Sequence, residues 1–216
     1  ELGIPYSDPV MDGPVIQEAT ETALANGFKL RQTFEAVKEV SERTGIPVLV
    51  MTYWNPVMQF GVQDFAKSLK QAGGAGMITP DLIPDEASEW LAAAEEHDLD
   101  RVFLAAPTSS TQRVQNAAEL SRGFVYAVST MGITGARDEV DSLARGVVSA
   151  VRDTDVDANV AVGIGISTGE QASAVNEYAD GAIVGSVFVK AYNQGGLSEL
   201  KRTVAEIESK MNKGRK

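Results

Sequence analysis

Six short runs rich in Val, Ile and Ala constrain this chain more than any other feature. They are 46–53 (IPVLVMTY), 76–80 (GMITP), 101–106 (RVFLAA), 124–129 (FVYAVS), 159–166 (NVAVGIGI) and 181–188 (GAIVGSVF). Each is nearly continuously apolar rather than alternating, which suits strands buried on both faces of a parallel sheet. Apolar residues at helical spacing fill the gaps: Phe34, Val37 and Val40, then Val140, Leu143, Val147 and Val151, then Leu197, Leu200, Val204, Ile207 and Met211. Thr168 with Gln171, and Ser109 with Gln112, have the spacing of capping boxes. No Gly/Ser-rich linker or charge block divides the chain, so residues 1–216 read as one domain of strand–loop–helix units. Such units build either an open doubly wound sheet or a closed barrel. The dinucleotide-binding version of the open sheet is disfavoured, because no GxGxxG opens a helix with an acidic residue about 20 positions on.

Glu1–Ile4 reads as the end of a seventh strand. A closed barrel of this kind has eight strands and typically ~250 residues, against 216 here. The expectation is an α/β (β/α)8 TIM barrel lacking its first strand–helix unit and most of strand two. Strands two and eight would then have open edges.

Composition removes several function classes. The net charge of −11 repels duplex nucleic acid unless basic residues are concentrated. The one basic cluster, KMNKGRK at the end, reads as a solvated tail. No apolar run reaches the ~20 residues of a membrane span. There are no cysteines, hence no disulfide or thiolate chemistry, which fits a cytoplasmic protein. The one histidine, His97, excludes multi-histidine zinc sites and makes serine–histidine catalysis a poor fit; in AEEHDLD it reads as a solvated residue near a helix end.

Two features carry chemistry. Glycines cluster where strands end, at Gly132 and Gly135 in MGITG (131–135), in VGIGIST at Gly163 and Gly165, and at Gly185-Ser186. Backbone N–H groups of such segments, next to a helix start, hold a phosphate without any lysine, and barrels commonly place that site after strands seven and eight. The opening stretch ELGIPYSDPVMDGP puts Glu1 at a strand and Asp8 and Asp12 in a proline-bound loop.

The motifs ELGIPYSDPVMDGP, MTYWNP, PDLIP, APTS, YAVSTMGITGAR, VGIGIS and GAIVGS, in this order and spanning nearly the whole chain, resemble the tryptophan synthase alpha subunit family. The resemblance implies a lyase that reversibly cleaves indole-3-glycerol phosphate to indole and glyceraldehyde 3-phosphate in tryptophan biosynthesis. It implies that Glu1 is the general acid/base and that Asp12 stabilises positive charge on the indole ring. Met51, Tyr53, Leu104 and Tyr126 would surround the indole, and Thr134 would position the aspartate. Gly135, Gly163, Ile164, Gly165, Gly185 and Ser186 would form the substrate and phosphate segment. It further implies an alpha2beta2 heterotetramer, with Asp8, Asn55 and Pro56 facing a beta subunit that alone carries pyridoxal phosphate, and no cofactor or metal in this chain.

The residues agree with that chemistry. A Schiff-base aldolase needs a lysine inside a strand mouth, and none of the six runs has one in its interior. A zinc aldolase needs histidines. A substrate whose own ring accepts the charge needs only carboxylates in different environments. Two other readings compete: a different phosphate-binding barrel, such as a phosphosugar isomerase, and an inactive barrel fragment that binds a partner. The family has a stretch before the glutamate that this sequence does not include. If the chain starts at Glu1, its α-amine is expected to lower the carboxyl pKa and make a poor lyase.

Overall fold

The computed structural model describes residues 1–128, 137–163 and 165–211, with backbone alone for 137–140. The strands are β1 (Leu2–Gly3), β2 (Leu49–Met51), β3 (Gly76–Ile78), β4 (Asp100–Val102), β5 (Leu104–Ala105), β6 (Val125–Val128), β7 (Val160–Gly163) and β8 (Gly181–Ala182). Every ladder is parallel, in the orders β1-β2-β3-β4 and β5-β6-β7-β8. Phe103 alone separates β4 from β5, so one stretch of chain pairs backward with β3 and forward with β6. The two sheets are therefore one continuous run of strand positions in sequence order. Between and around the strands lie helices α1 (Pro14–Ala25), α2 (Arg31–Thr44), α3 (Trp54–Phe60), α4 (Val62–Gln71), α5 (Ser88–Glu96), α6 (Thr111–Leu120), α7 (Arg137–Arg152), α8 (Gly169–Val175) and α9 (Ser186–Met211). This is the (β/α)8 barrel architecture. Among the described residues β1 pairs only with β2 and β8 only with β7, and α1 meets α9.

The two-residue period of each strand sorts its side chains into layers. Ile78, Val102, Tyr126 and Val128 form a buried inner cluster, with Leu49, Met51, Leu104, Ala106, Phe124 and Ile183 packed on it. Their strand neighbours Val50, Met77, Val125, Ala127, Val160 and Val162 pack outward under the helices. Apart from β4, which carries Asp100 and Arg101, the strands are thus apolar on both faces, which is why the runs look continuous in sequence.

Local details differ from the sequence expectations. The run 181–188 is a strand only at Gly181–Ala182, and Ser186 opens α9. There the Gly185 carbonyl accepts from the Phe188 and Val189 amides, turning the chain into a helix. The cap of α6 is Ser110, whose side chain accepts from Arg113 N at 3.4 Å. Ser109 instead accepts from Ala106 N at 3.1 Å and closes the preceding turn. The Thr168–Gln171 box is present as expected. The last apolar stripe is only partly core: α9 breaks at Gly195–Gly196, where Gly196 has φ 62°, and past the break Leu197 and Val204 face solvent while Ile207 is buried and Met211 packs on the core. Val40 on α2 is likewise exposed. His97 ends α5 half-buried, its amide bonded to Ala93 O. No helix of the described residues is long and apolar enough to cross a membrane.

Candidate active site

The register of β1 places Glu1. Leu2 stands opposite Val50 and Gly3 opposite Met51. Val50 and Leu2 pack outward, whereas Met51 belongs to the inner layer. Glu1 shares the face of Gly3, so its side chain turns into the barrel. The residue as a whole is exposed, yet protein crowds its carboxyl, and desolvation is the main influence on its pKa, raising it. The register accounts for both, since the backbone of Glu1 faces water while its side chain turns inward. With Glu1 as first residue, an α-amine pulls the pKa down, as the sequence suggested, but more weakly than burial pushes it up. The expected net lowering is therefore overturned, because the Born cost of desolvating the carboxylate exceeds its attraction to an amine in water.

Tyr126 lies across from it in the same interior. Burial pushes its hydroxyl pKa far up, and the Glu1 charge adds to that. The hydroxyl fits because position 163 is glycine: a Cβ there would collide with it. Gly163 thus makes room for a tyrosine, a role beside the substrate contact that the resemblance implies. Gly163→Ala is expected to displace the Tyr126 ring and lower cleavage by about tenfold or more, with only a modest loss of stability (about 1–3 kcal/mol for overpacking). Paired rate and thermal-melting measurements check this, and wild-type rates in a folded variant would refute it.

Asp12 is held by contacts from a distant strand end. The Tyr53 hydroxyl donates to Asp12 Oδ1 at 3.1 Å and accepts from Met11 N at 2.9 Å. Gln17 Nε2 donates to Asp12 O at 2.7 Å from the first turn of α1, which starts at Pro14 after the extended Gly13. Desolvation raises the Asp12 carboxyl pKa, and the Tyr53 hydrogen bond opposes it. Tyr6 packs on Tyr53 with ring centroids 5.5 Å apart, and Asn55 Nδ2 donates to its hydroxyl at 3.1 Å. Sequence placed Tyr53 and Asn55 at the indole and at a partner; in the fold both also fasten the loop that carries Asp12. Asp8 is exposed and accepts from Ser7 Oγ at 2.6 Å. Pro56 is half-buried in the first turn of α3.

Met51, Leu104 and Tyr126 come together in the inner cluster. Ile78 and Ile183, in the same cluster, were not singled out from sequence, since a buried isoleucine looks the same in either layer. Thr134, Gly135 and Ile164 lie outside the described residues.

The glycine segment adjoins helix starts. Gly165, just past β7, has φ 81°, a left-handed conformation that favours glycine. Just before α8, Gln171 Oε1 accepts from Ser167 N at 2.8 Å and Thr168 N at 3.0 Å, and Thr168 Oγ1 accepts from Gln171 N, the third amide of the helix. The amides of Gly185 and Ser186 stand at the start of α9, where a helix N-terminus suits an anion. Gly185 has open space around it and no positive φ.

A family profile described as tryptophan synthase alpha chain matches residues 1–216. The chain belongs to the tryptophan synthase alpha chain family. Among relatives, the tryptophan synthase alpha chain of Leifsonia xyli is 59% identical over 207 residues, covering 96% of this chain and 79% of that protein. The alpha chain of Mycobacterium intracellulare is 55% identical, covering 96% and 76%. Among solved structures, tryptophan synthase from M. tuberculosis superposes with a TM-score of 0.89 at 47% identity, covering 98% of this chain and 79% of that one. The tryptophan synthase complex from Pyrococcus furiosus gives 0.85 at 35% identity, covering 98% and 85%. The barrel and the order of its strands are thus those of the family.

Proposed function

We propose that Glu1 and Asp12 carry the reversible retro-aldol cleavage of indole-3-glycerol phosphate to indole and glyceraldehyde 3-phosphate. As a member of this family the chain is a carbon–carbon lyase of tryptophan biosynthesis. The observation that carries the assignment of roles is the contrast between the two carboxylates. Glu1 is desolvated beside Tyr126 inside the barrel, which suits a group that must gain and lose a proton. Asp12 is desolvated too, but the Tyr53 hydroxyl donates to it and favours its ionised form. In this reading Glu1 protonates C3 of the indole and takes the proton of the glycerol hydroxyl. Asp12 stays ionised near the ring nitrogen as positive charge develops there. Met51, Leu104 and Tyr126 line the indole pocket. Amides at Gly165, Gly185 and Ser186 receive the phosphate, which an acidic chain binds without a lysine. No cofactor of this chain is needed, because the protonated ring itself is the electron sink. The reading places the enzyme in the cytoplasm.

We also assign the loop 6–13 and the first turn of α3, with Asp8, Asn55 and Pro56, to contact with a pyridoxal-phosphate-bearing beta subunit in an alpha2beta2 assembly. Val10, 78% exposed, and Met58, 49% exposed, give this edge apolar surface. Indole release from indole-3-glycerol phosphate, assayed against isomerisation of sugar phosphates by the same chain, tests the activity; turnover of the sugars alone would defeat it. Asp8→Ala is expected to leave cleavage by the isolated chain within about twofold while reducing activation by the beta subunit by about fivefold or more. Equal activation of both forms would count against the interface.

A further inference from the structure

Helix α3 begins without a cap of its own. Tyr53 is its N-cap residue, in extended conformation, and its side chain makes no capping bond. The first amide of the helix, Trp54 N–H, goes instead to a residue far along the chain. Both carboxylate oxygens of Asp81, in the loop after β3, accept it, at 2.9 Å for Oδ1 and 3.1 Å for Oδ2. A carboxylate there also faces the positive end of the helix dipole. The turn so fixed is the one that holds the Asp12 loop at two points. Tyr53 bonds Asp12 Oδ1 and Met11 N, and Asn55 bonds the Tyr6 hydroxyl.

We propose that Asp81 is a positioning residue for Asp12, acting through the first turn of α3. The proposal rests on the reading of Asp12 as the charge-stabilising carboxylate. Asp81 touches no reacting atom; it sets where the Tyr53 hydroxyl stands and hence where Asp12 is held. Misplacement of a charge-stabilising group is felt in the transition state more than in ground-state binding, so its loss reduces kcat rather than raising KM.

The test uses the whole chain in steady-state indole-3-glycerol phosphate cleavage, with amide exchange at Trp54 followed by NMR. Asp81→Ala is expected to lower kcat by about tenfold with KM within about twofold, the scale of losing one hydrogen bond to a charged acceptor. Protection of the Trp54 amide is lost in the same variant. Asp81→Asn keeps an acceptor and is expected to restore most of the rate. In a Tyr53→Phe background the Asp81→Ala effect shrinks, because the coupling runs through Tyr53. Full additivity of the two changes, an equal loss in Asn and Ala, or an unchanged kcat with Trp54 unprotected would each overturn the proposal. Asp12→Asn is measured alongside: if it cleaves at the wild-type rate, the underlying assignment of Asp12 has failed. If it is impaired while Asp81→Ala is not, the positioning proposal alone has failed.

Discussion

Glu1→Gln is expected to lower kcat for indole-3-glycerol phosphate cleavage by about 10²–10⁴-fold, the usual contribution of a positioned acid/base, with KM changed no more than a few-fold. Glutamine keeps the size and the hydrogen-bonding oxygen of the side chain but cannot shuttle a proton. The same substitution has a stability signature of opposite sense. Desolvation holds the Glu1 carboxyl pKa above its ordinary value in the fold. The folded state therefore binds that proton more tightly than the unfolded state does. Between the ordinary and the raised value, stability falls as pH rises, because the carboxylate must ionise where it is poorly solvated. Below the ordinary value both states are protonated and the cost vanishes. Glu1→Gln should thus melt at the same temperature as the parent or slightly higher at neutral pH, and show no such advantage in acid. A variant that retains a tenth or more of kcat would remove Glu1 from the acid/base role, whatever its melting temperature.

Gly185→Asp is expected to raise KM at least about tenfold while leaving the melting temperature unchanged or slightly higher. Two like charges about 4 Å apart repel by roughly 1 kcal/mol in water and several times that near a protein surface. An aspartate beside the first turn of α9 would stand against the substrate phosphate. Folding has no reason to suffer, since a Cβ at Gly185 meets nothing within 4 Å and its φ is not of the left-handed kind. An acid at a helix start is itself mildly stabilising. Inorganic phosphate should also lose its competition with substrate. Unchanged KM in a folded variant would place the phosphate elsewhere.

The parallel strand–helix repeat was legible in the sequence because two-faced burial leaves a continuous apolar run, and each run contains an observed strand. The ends were less legible. Val187 and Phe188 continue an apolar run, but one carbonyl, that of Gly185, turned them into the first turn of α9. The stripe of α9 had helical spacing along its whole length, yet only Ile207 of its apolar residues past the Gly195–Gly196 break is buried outright. Spacing says which residues share a helix face; it does not say whether another element covers that face.

What the sequence determined by itself was the parallel strand–helix repeat, the acidic and cysteine-free chemistry, and the motifs that resemble one lyase family. The tertiary structure decided how the site is held. It put the Tyr53 hydroxyl on Asp12 across 41 residues of chain, fitted the Tyr126 hydroxyl into the space left by Gly163, and brought Asp81 to the uncapped start of α3. It also reversed the sign of the Glu1 shift, since how strongly a carboxyl is desolvated depends on the atoms packed around it. The physical reason is range. Periodicity and capping act within a few residues along the chain, whereas these contacts and the local dielectric exist only once separate strands and loops have been brought together at the mouth of the barrel.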